Sequence, residues 1–233
     1  AAFLLVAVHA QDEGKLLGAF DKAFAPPPKG KATLDEKRAA LQALRELDSG
    51  KVAESLVEGW LAVDVELTEV DSKREKGALE LEQIPERSDG KKPKDGEPKG
   101  PESVTIPQDK AARYDQLKAE LPKLREQADG LRALGGELAA RIGTLKRRDS
   151  VLWLLQRVCG NKKYTAPLKV AAGKAIGAAA AQVLEELAAA LPKMKEPTDL
   201  IVLLDAFAAA GKTAAPHATP VLALLEHKEE AVA

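Results

Sequence analysis

Gly211-Lys212-Thr213 ends like a phosphate-binding loop, in which backbone amides cradle phosphate and the lysine neutralises it. That loop needs a glycine five residues earlier, where this chain has Ala206. It also needs a preceding strand, and Leu200, Ile201, Leu203, Leu204 and Phe207 have helical spacing. His217 and His227 are ten residues apart, with no HExxH pattern and no cysteine partner, so they read as turn residues rather than zinc ligands. Cys159 is the single cysteine, which excludes a disulfide within the chain. With Leu155 and Val158 as neighbours it reads as a small buried hydrophobe, not a reactive thiol. The carboxylate pairs Asp64/Glu66 and Glu185/Glu186 fall on amphipathic helices, whose outer faces are normally charged. Lys162, Lys163 and Tyr164 form a basic-aromatic cluster that reads as a loop rather than a nucleic-acid site. Trp60 and Trp153 read as core residues, with an exposed binding anchor as the alternative. No GxSxG, serine-triad order or EF-hand loop is present. The sequence is therefore read as non-enzymatic, with no catalytic, cofactor-binding or metal-binding residues.

The elements that would position these residues are helical. Apolar residues make up 45% of the 233 positions but aromatics only 3%, so alanine and leucine do the packing, and the fold class is all-α. The 35 basic and 36 acidic side chains nearly cancel, which gives no electrostatic case for nucleic acid or an anionic membrane. The first ten residues, AAFLLVAVHA, are too short to span a bilayer. Val8 and Ala10 before Gln11 resemble a signal-peptidase site, so residues 1–10 are expected to be a signal-peptide remnant. On that reading the protein is bacterial and exported, periplasmic or extracellular. The competing reading is a first buried helix or strand.

Leucine recurs at every seventh position from Leu117 to Leu152, with Tyr114, Leu121, Ala128, Gly135 and Ile142 three residues before the first five. This 3-4 repeat predicts a helix over 111–148 with one apolar seam, interrupted by Pro122. Leu56, Trp60, Val63, Leu67 and Val70 give a matching seam on a helix over 51–83. Residues 85–106 between them are rich in proline, glycine and balanced charge, and read as a flexible loop. Residues 51–148 are thus expected to fold back as a long antiparallel coiled-coil hairpin.

On either side the pattern shortens. Leu16, Leu17, Phe20, Ala23 and Phe24 share one helical face, and Thr33-Leu34-Asp35-Glu36 reads as a capping box for a helix through Leu47. Beyond Arg148 the sequence predicts five short helices and the start of a sixth. Asp149, Thr165 and Thr198 stand at starts, and Gly177 and Gly211, 34 residues apart, at ends. PLKVAAGKAIG (167–177), DLIVLLDAFAAAG (199–211), PHATPVLALLEHKEEAV (216–232) and DEKRAALQALREL (35–47) resemble the helices of HEAT-like (armadillo-type) repeats. The resemblance implies an α-solenoid over 11–50 and 149–233, truncated at its C-terminal end. It also implies a scaffold that binds other macromolecules.

The expected function is a non-catalytic scaffold or protein–protein interaction module. Its partners are other proteins, with no nucleic acid and no membrane insertion. The alternatives are a coiled-coil oligomerisation protein, making a homo-oligomer through Leu117–Leu152, and an accessory domain of a larger enzyme extending beyond Ala233.

Overall fold

The computed structural model describes residues 2–25, 32–84 and 108–222. It is all-α, with no strand among the described residues. The expected loop at 85–106, His227 and the end of the chain after Leu222 lie outside them. The elements are α1 (Ala2–Phe24), α2 (Leu34–Ala43), α3 (Gly50–Gln83), α4 (Gln108–Ile142), α5 (Arg148–Arg157), α6 (Ala166–Ala178), α7 (Leu184–Ala190), α8 (Pro197–Ala209) and α9 (Thr219–Leu222). The cleavage expected before Gln11 falls inside α1, and the side chains up to Gln11 are outside the described set. The chain divides into two compact units, Val65–Arg132 and the remainder.

The larger unit starts from the apolar face of α1. Leu17, Phe20 and Phe24 are buried, and the two phenylalanine rings stack at 4.3 Å. Gly59 of α3 makes room for them: a Cβ there would lie 2.8 Å from Phe20 Cζ. The capping box forms as expected. Thr33 N–H donates to Glu36 Oε2 (2.7 Å) and Glu36 N–H to Thr33 Oγ1 (3.2 Å), satisfying two orphan amides of α2.

α2 ends at Ala43, short of the expected Leu47. The chain tightens there into i→i+3 bonds from Leu44, Arg45 and Leu47. The carbonyls of Leu44 and Leu47 also accept from Arg141 of α4. α4 likewise ends at Ile142 rather than near Arg148. Gly143 follows, and the Thr144 hydroxyl donates to the Arg141 carbonyl at 2.7 Å. Leu145 is fully buried beyond the helix, and Leu152 belongs to α5, so the sevenfold leucine pattern outlasts the helix that it suggested.

Two carboxylates tie these ends together. Asp48, just before α3, accepts the amides of Lys146 (2.7 Å) and Arg147 (3.0 Å) and the hydroxyl of buried Ser150, all at the start of α5. Asp149, in the first turn of α5, accepts the Gly50 amide at the start of α3 (3.2 Å). Asp149 is therefore not the cap of its own helix; Arg147 holds that position without a side-chain bond. A carboxylate beside the start of each helix thus accepts amides at the start of the other, placing negative charge at two positive helix ends, while the Ser49 hydroxyl accepts the Val52 amide within α3 (3.2 Å).

After α5 the helices are short and pack on one another. α5 packs on α6 and α7, α7 on α8 and α9, and α6 lies along α8. Gly160 (φ 74°) follows α5, and Gly211 (φ 59°) closes α8 in the left-handed conformation. Gly177 does not end a helix as expected but lies inside α6 against Ala206. Thr198 is the second residue of α8, whose N-cap is Glu196.

In the smaller unit, residues 65–83 of α3 face residues 108–132 of α4. A Cβ on Gly77 would touch Leu121 at 3.2 Å and Leu117 at 3.5 Å. Arg113 forks onto both Glu80 oxygens at 2.7 Å, and Arg132 onto both Asp71 oxygens at 2.9 and 2.8 Å. These contacts run in opposite order along the two segments, so the segments are antiparallel. Val70, Tyr114, Leu117, Ala128 and Leu131 are buried along the seams read from the sequence, and α4 continues through Pro122.

Candidate functional site

α6 and α8 lie parallel with a constant register of about thirty residues. Lys169 meets Asp199, Gly173 faces Val202, and Gly177 faces Ala206. Glycines four apart on α6 bring the helices close, because no side chain separates the backbones. The fit is tight at Gly173, where a Cβ would lie 2.5 Å from Val202 Cγ1, and ordinary at Gly177, where the nearest atom would be 3.6 Å away.

The outer faces of these helices form an open groove of about 570 Å³. Gly173, Gly177, Val202 and Ala206 line it, and Val170, 45% exposed, and Ile201 add apolar walls. Its charged lining residues are Lys174 on α6 and Asp205 on α8. Both are exposed, and neither has a partner among the described residues.

At the N-terminal end of the same helix pair, next to Val170 and Thr198 of the groove, lies a buried ion pair. Lys169 Nζ donates to Asp199 Oδ2 at 2.7 Å, with both side chains buried, and Asp199 Oδ1 has no hydrogen-bond partner among the described residues. Cys159 is buried in the field of this pair. Burial, with a smaller contribution from the Asp199 charge, pushes its thiol up to about 12. Such a thiol is almost wholly protonated at neutral pH and is a poor nucleophile. A small polar recess of about 240 Å³ lies beside Lys169, lined also by Lys162, Tyr164, Glu196 and Thr198. Lys162 pairs with Glu196 at 3.0 Å and holds its carboxyl below the usual range. Each cation in the recess is thus matched by a carboxylate.

The other residues weighed in the sequence do not converge. Gly211-Lys212-Thr213 is the C-terminal close of α8, where the Thr213 hydroxyl donates to the Ala210 carbonyl at 2.6 Å. His217 ends a 3₁₀ turn over Gly211–His217. Glu186 pairs with Arg148, and Lys163 lies over the Tyr164 ring at 5.8 Å. Trp60 is buried and Trp153 partly exposed. No cluster of three metal-ligating side chains occurs among the described residues, and no helix there is long and apolar enough to cross a membrane.

Lys169 and Asp199 were not picked out by sequence reasoning. A lysine four residues after Thr165 and an aspartate in a first helical turn look like ordinary surface residues, and only the register of α6 on α8 pairs them. The small residues of 167–177 were visible, but not which helix they meet. In comparisons with known proteins no family model matches the chain, and no curated protein or solved structure matches it.

Proposed function

We propose that the chain is a non-catalytic protein-interaction module. In this reading α5–α9 form a short HEAT-like α-solenoid, and Val65–Arg132 forms an antiparallel coiled-coil hairpin. The groove on α6 and α8 binds a segment of another protein. The observation that carries the reading is the groove itself: its floor is Gly, Ala and Val, its walls are aliphatic, and its two charges have no partner among the described residues. Exposed apolar concavities with a polar margin mark interaction sites in soluble proteins. The parallel packing of α6 along α8, at a register of about thirty residues, supports the repeat reading. The inert thiol of Cys159 and the matched charges beside it support the absence of chemistry.

The test is a displayed peptide library selected against the whole chain, with each selected peptide titrated against wild type and Val170→Glu. Val170 is exposed, so the substitution leaves the fold intact while placing a charge in the groove. Selected peptides that lose affinity for Val170→Glu support the reading. Peptides indifferent to it, or no selected peptides at all, contradict it.

Self-association is a second reading, favoured by Val65 and Leu79. They are 60% and 59% exposed and fourteen residues apart on α3, within the Val65–Arg132 unit. Sedimentation of wild type beside a Val65→Lys/Leu79→Lys variant tests it, with a dimer lost in the variant as the expected result.

A further inference from the structure

Three features of the groove narrow what it can hold. Both walls are helices whose backbone groups bond within each helix. The groove therefore has no sheet edge to which an extended segment could add its amides and carbonyls. A segment lying there in extended form would leave its own backbone unpaired against an apolar floor. A helix carries its backbone hydrogen bonds internally and meets no such cost.

The length is also suited to a helix. The lining runs from Val170 to Ala178 on one wall and from Thr198 to Ala209 on the other. At 1.5 Å per residue these are about 12 and 16 Å, or two to three helical turns. Gly173, Gly177 and Ala206 let an incoming helix come close and leave space for two or three large apolar side chains at i, i+3 or i+4, and i+7.

The charges fix the flanks. Lys169 meets Asp199 and Gly173 faces Val202, so Lys174 and Asp205 stand at nearly the same height on opposite walls. They do not pair with each other across the groove, nor with any other described residue. We infer that the groove takes an amphipathic α-helix of a partner protein, with a large aliphatic stripe on the floor, an acidic side chain against Lys174 and a basic one against Asp205. This rests on the proposed interaction function and specifies its partner.

The experiment uses the full chain and stapled 16-residue helical peptides with leucines at i, i+4 and i+7. The peptide flanks carry Glu and Arg, Glu and Glu, or Arg and Arg. This series is insensitive to which end of the helix leads, because reversing a mixed helix only exchanges its flanks. Affinities are measured by fluorescence anisotropy for wild type, Lys174→Glu, Asp205→Lys and Val170→Glu. The mixed peptide should bind wild type roughly three- to tenfold better than either like-charged peptide, the scale of one or two partly exposed charge contacts. The Arg/Arg peptide should prefer Lys174→Glu, the Glu/Glu peptide should prefer Asp205→Lys, and all three should weaken on Val170→Glu. If all bind and respond to Val170→Glu but show no order by charge, the helix-flank assignment is overturned and the groove stands. If none binds, or none responds to Val170→Glu, both are overturned.

Discussion

Lys169 Nζ lies 2.7 Å from Asp199 Oδ2, with Asp199 fully buried and Lys169 nearly so. A buried ion pair contributes little net stability, because desolvation offsets most of the attraction, but breaking it strands a charge. Lys169→Met alone should lower stability by about 3–5 kcal/mol, and the double replacement Lys169→Met/Asp199→Leu should return most of the loss. Urea unfolding followed by circular dichroism measures both. A neutral single variant would show that Asp199 is not buried as described.

Gly173 and Gly177 separate packing from helix propensity. Both gain helix propensity on conversion to alanine, by roughly 1 kcal/mol. Gly177→Ala has ordinary space and should stabilise by about 0.5–1 kcal/mol. Gly173→Ala would put its Cβ 2.5 Å from Val202 Cγ1, and a β-branched side chain has no free rotamer with which to yield. Overpacking should outweigh propensity, with a net loss of about 1–2 kcal/mol that Val202→Ala relieves. Equal behaviour of the two glycines in thermal melts would contradict the register of α6 on α8.

Asp48 accepts three hydrogen bonds, from the amides of Lys146 and Arg147 and from buried Ser150. Asp48→Ala removes the cap of α5 and leaves Ser150 with only the Arg147 carbonyl to bond. The expected cost is about 2–3 kcal/mol, summing a lost cap and a weakened buried hydroxyl. Chemical denaturation of Asp48→Ala beside Asp48→Asn measures it, and Asn should retain part because its carbonyl still accepts.

Much of this arrangement could be read from residue spacing, for reasons that differ by element. The capping box at Thr33 and the apolar seams of α3 and α4 are local patterns, set by hydrogen bonding within one turn and by helical periodicity. The end of α4 was misplaced because the sevenfold leucine pattern continues through Leu145 and Leu152, which stay apolar for tertiary reasons after the helix has stopped. What stops it is Arg141, Gly143 and Thr144, and the capture of the next amides by Asp48, almost a hundred residues away. The groove was legible only as a stretch of small residues. Its apolar floor and the placing of Lys174 and Asp205 on opposite walls depend on which helix α6 meets.

Cys159 gives a pH dependence with a definite sign. Its thiol titrates at about 12 in the folded chain, against 9.0 for an ordinary thiol, so folding favours the protonated form. That contribution is full below pH 9 and is lost as pH rises through 12. Stability should fall over this window in wild type and less in Cys159→Ala. At pH 8 the native thiol should resist a disulfide reagent that reacts fully once the chain is unfolded.

Glu80 has the opposite sign. The Arg113 fork holds its carboxyl below the ordinary value of 4.5. Its contribution is present above pH 4.5 and is lost as pH falls through the folded value. The pair is exposed, so the effect is small and screened by salt. The acid limb of the stability curve should be shallower in Glu80→Gln than in wild type, and the difference should shrink in high salt.

In the proposed function the α6/α8 groove binds a partner segment through its apolar floor. The most direct measurement is the affinity of a peptide selected on the wild-type chain, compared between wild type and Val170→Glu with circular dichroism as the control for folding. A carboxylate set against the apolar face of the bound peptide should cost about 1–3 kcal/mol, roughly five- to 150-fold in affinity. A loss in that range with an unchanged spectrum is the predicted result; equal affinity for the two proteins contradicts the claim.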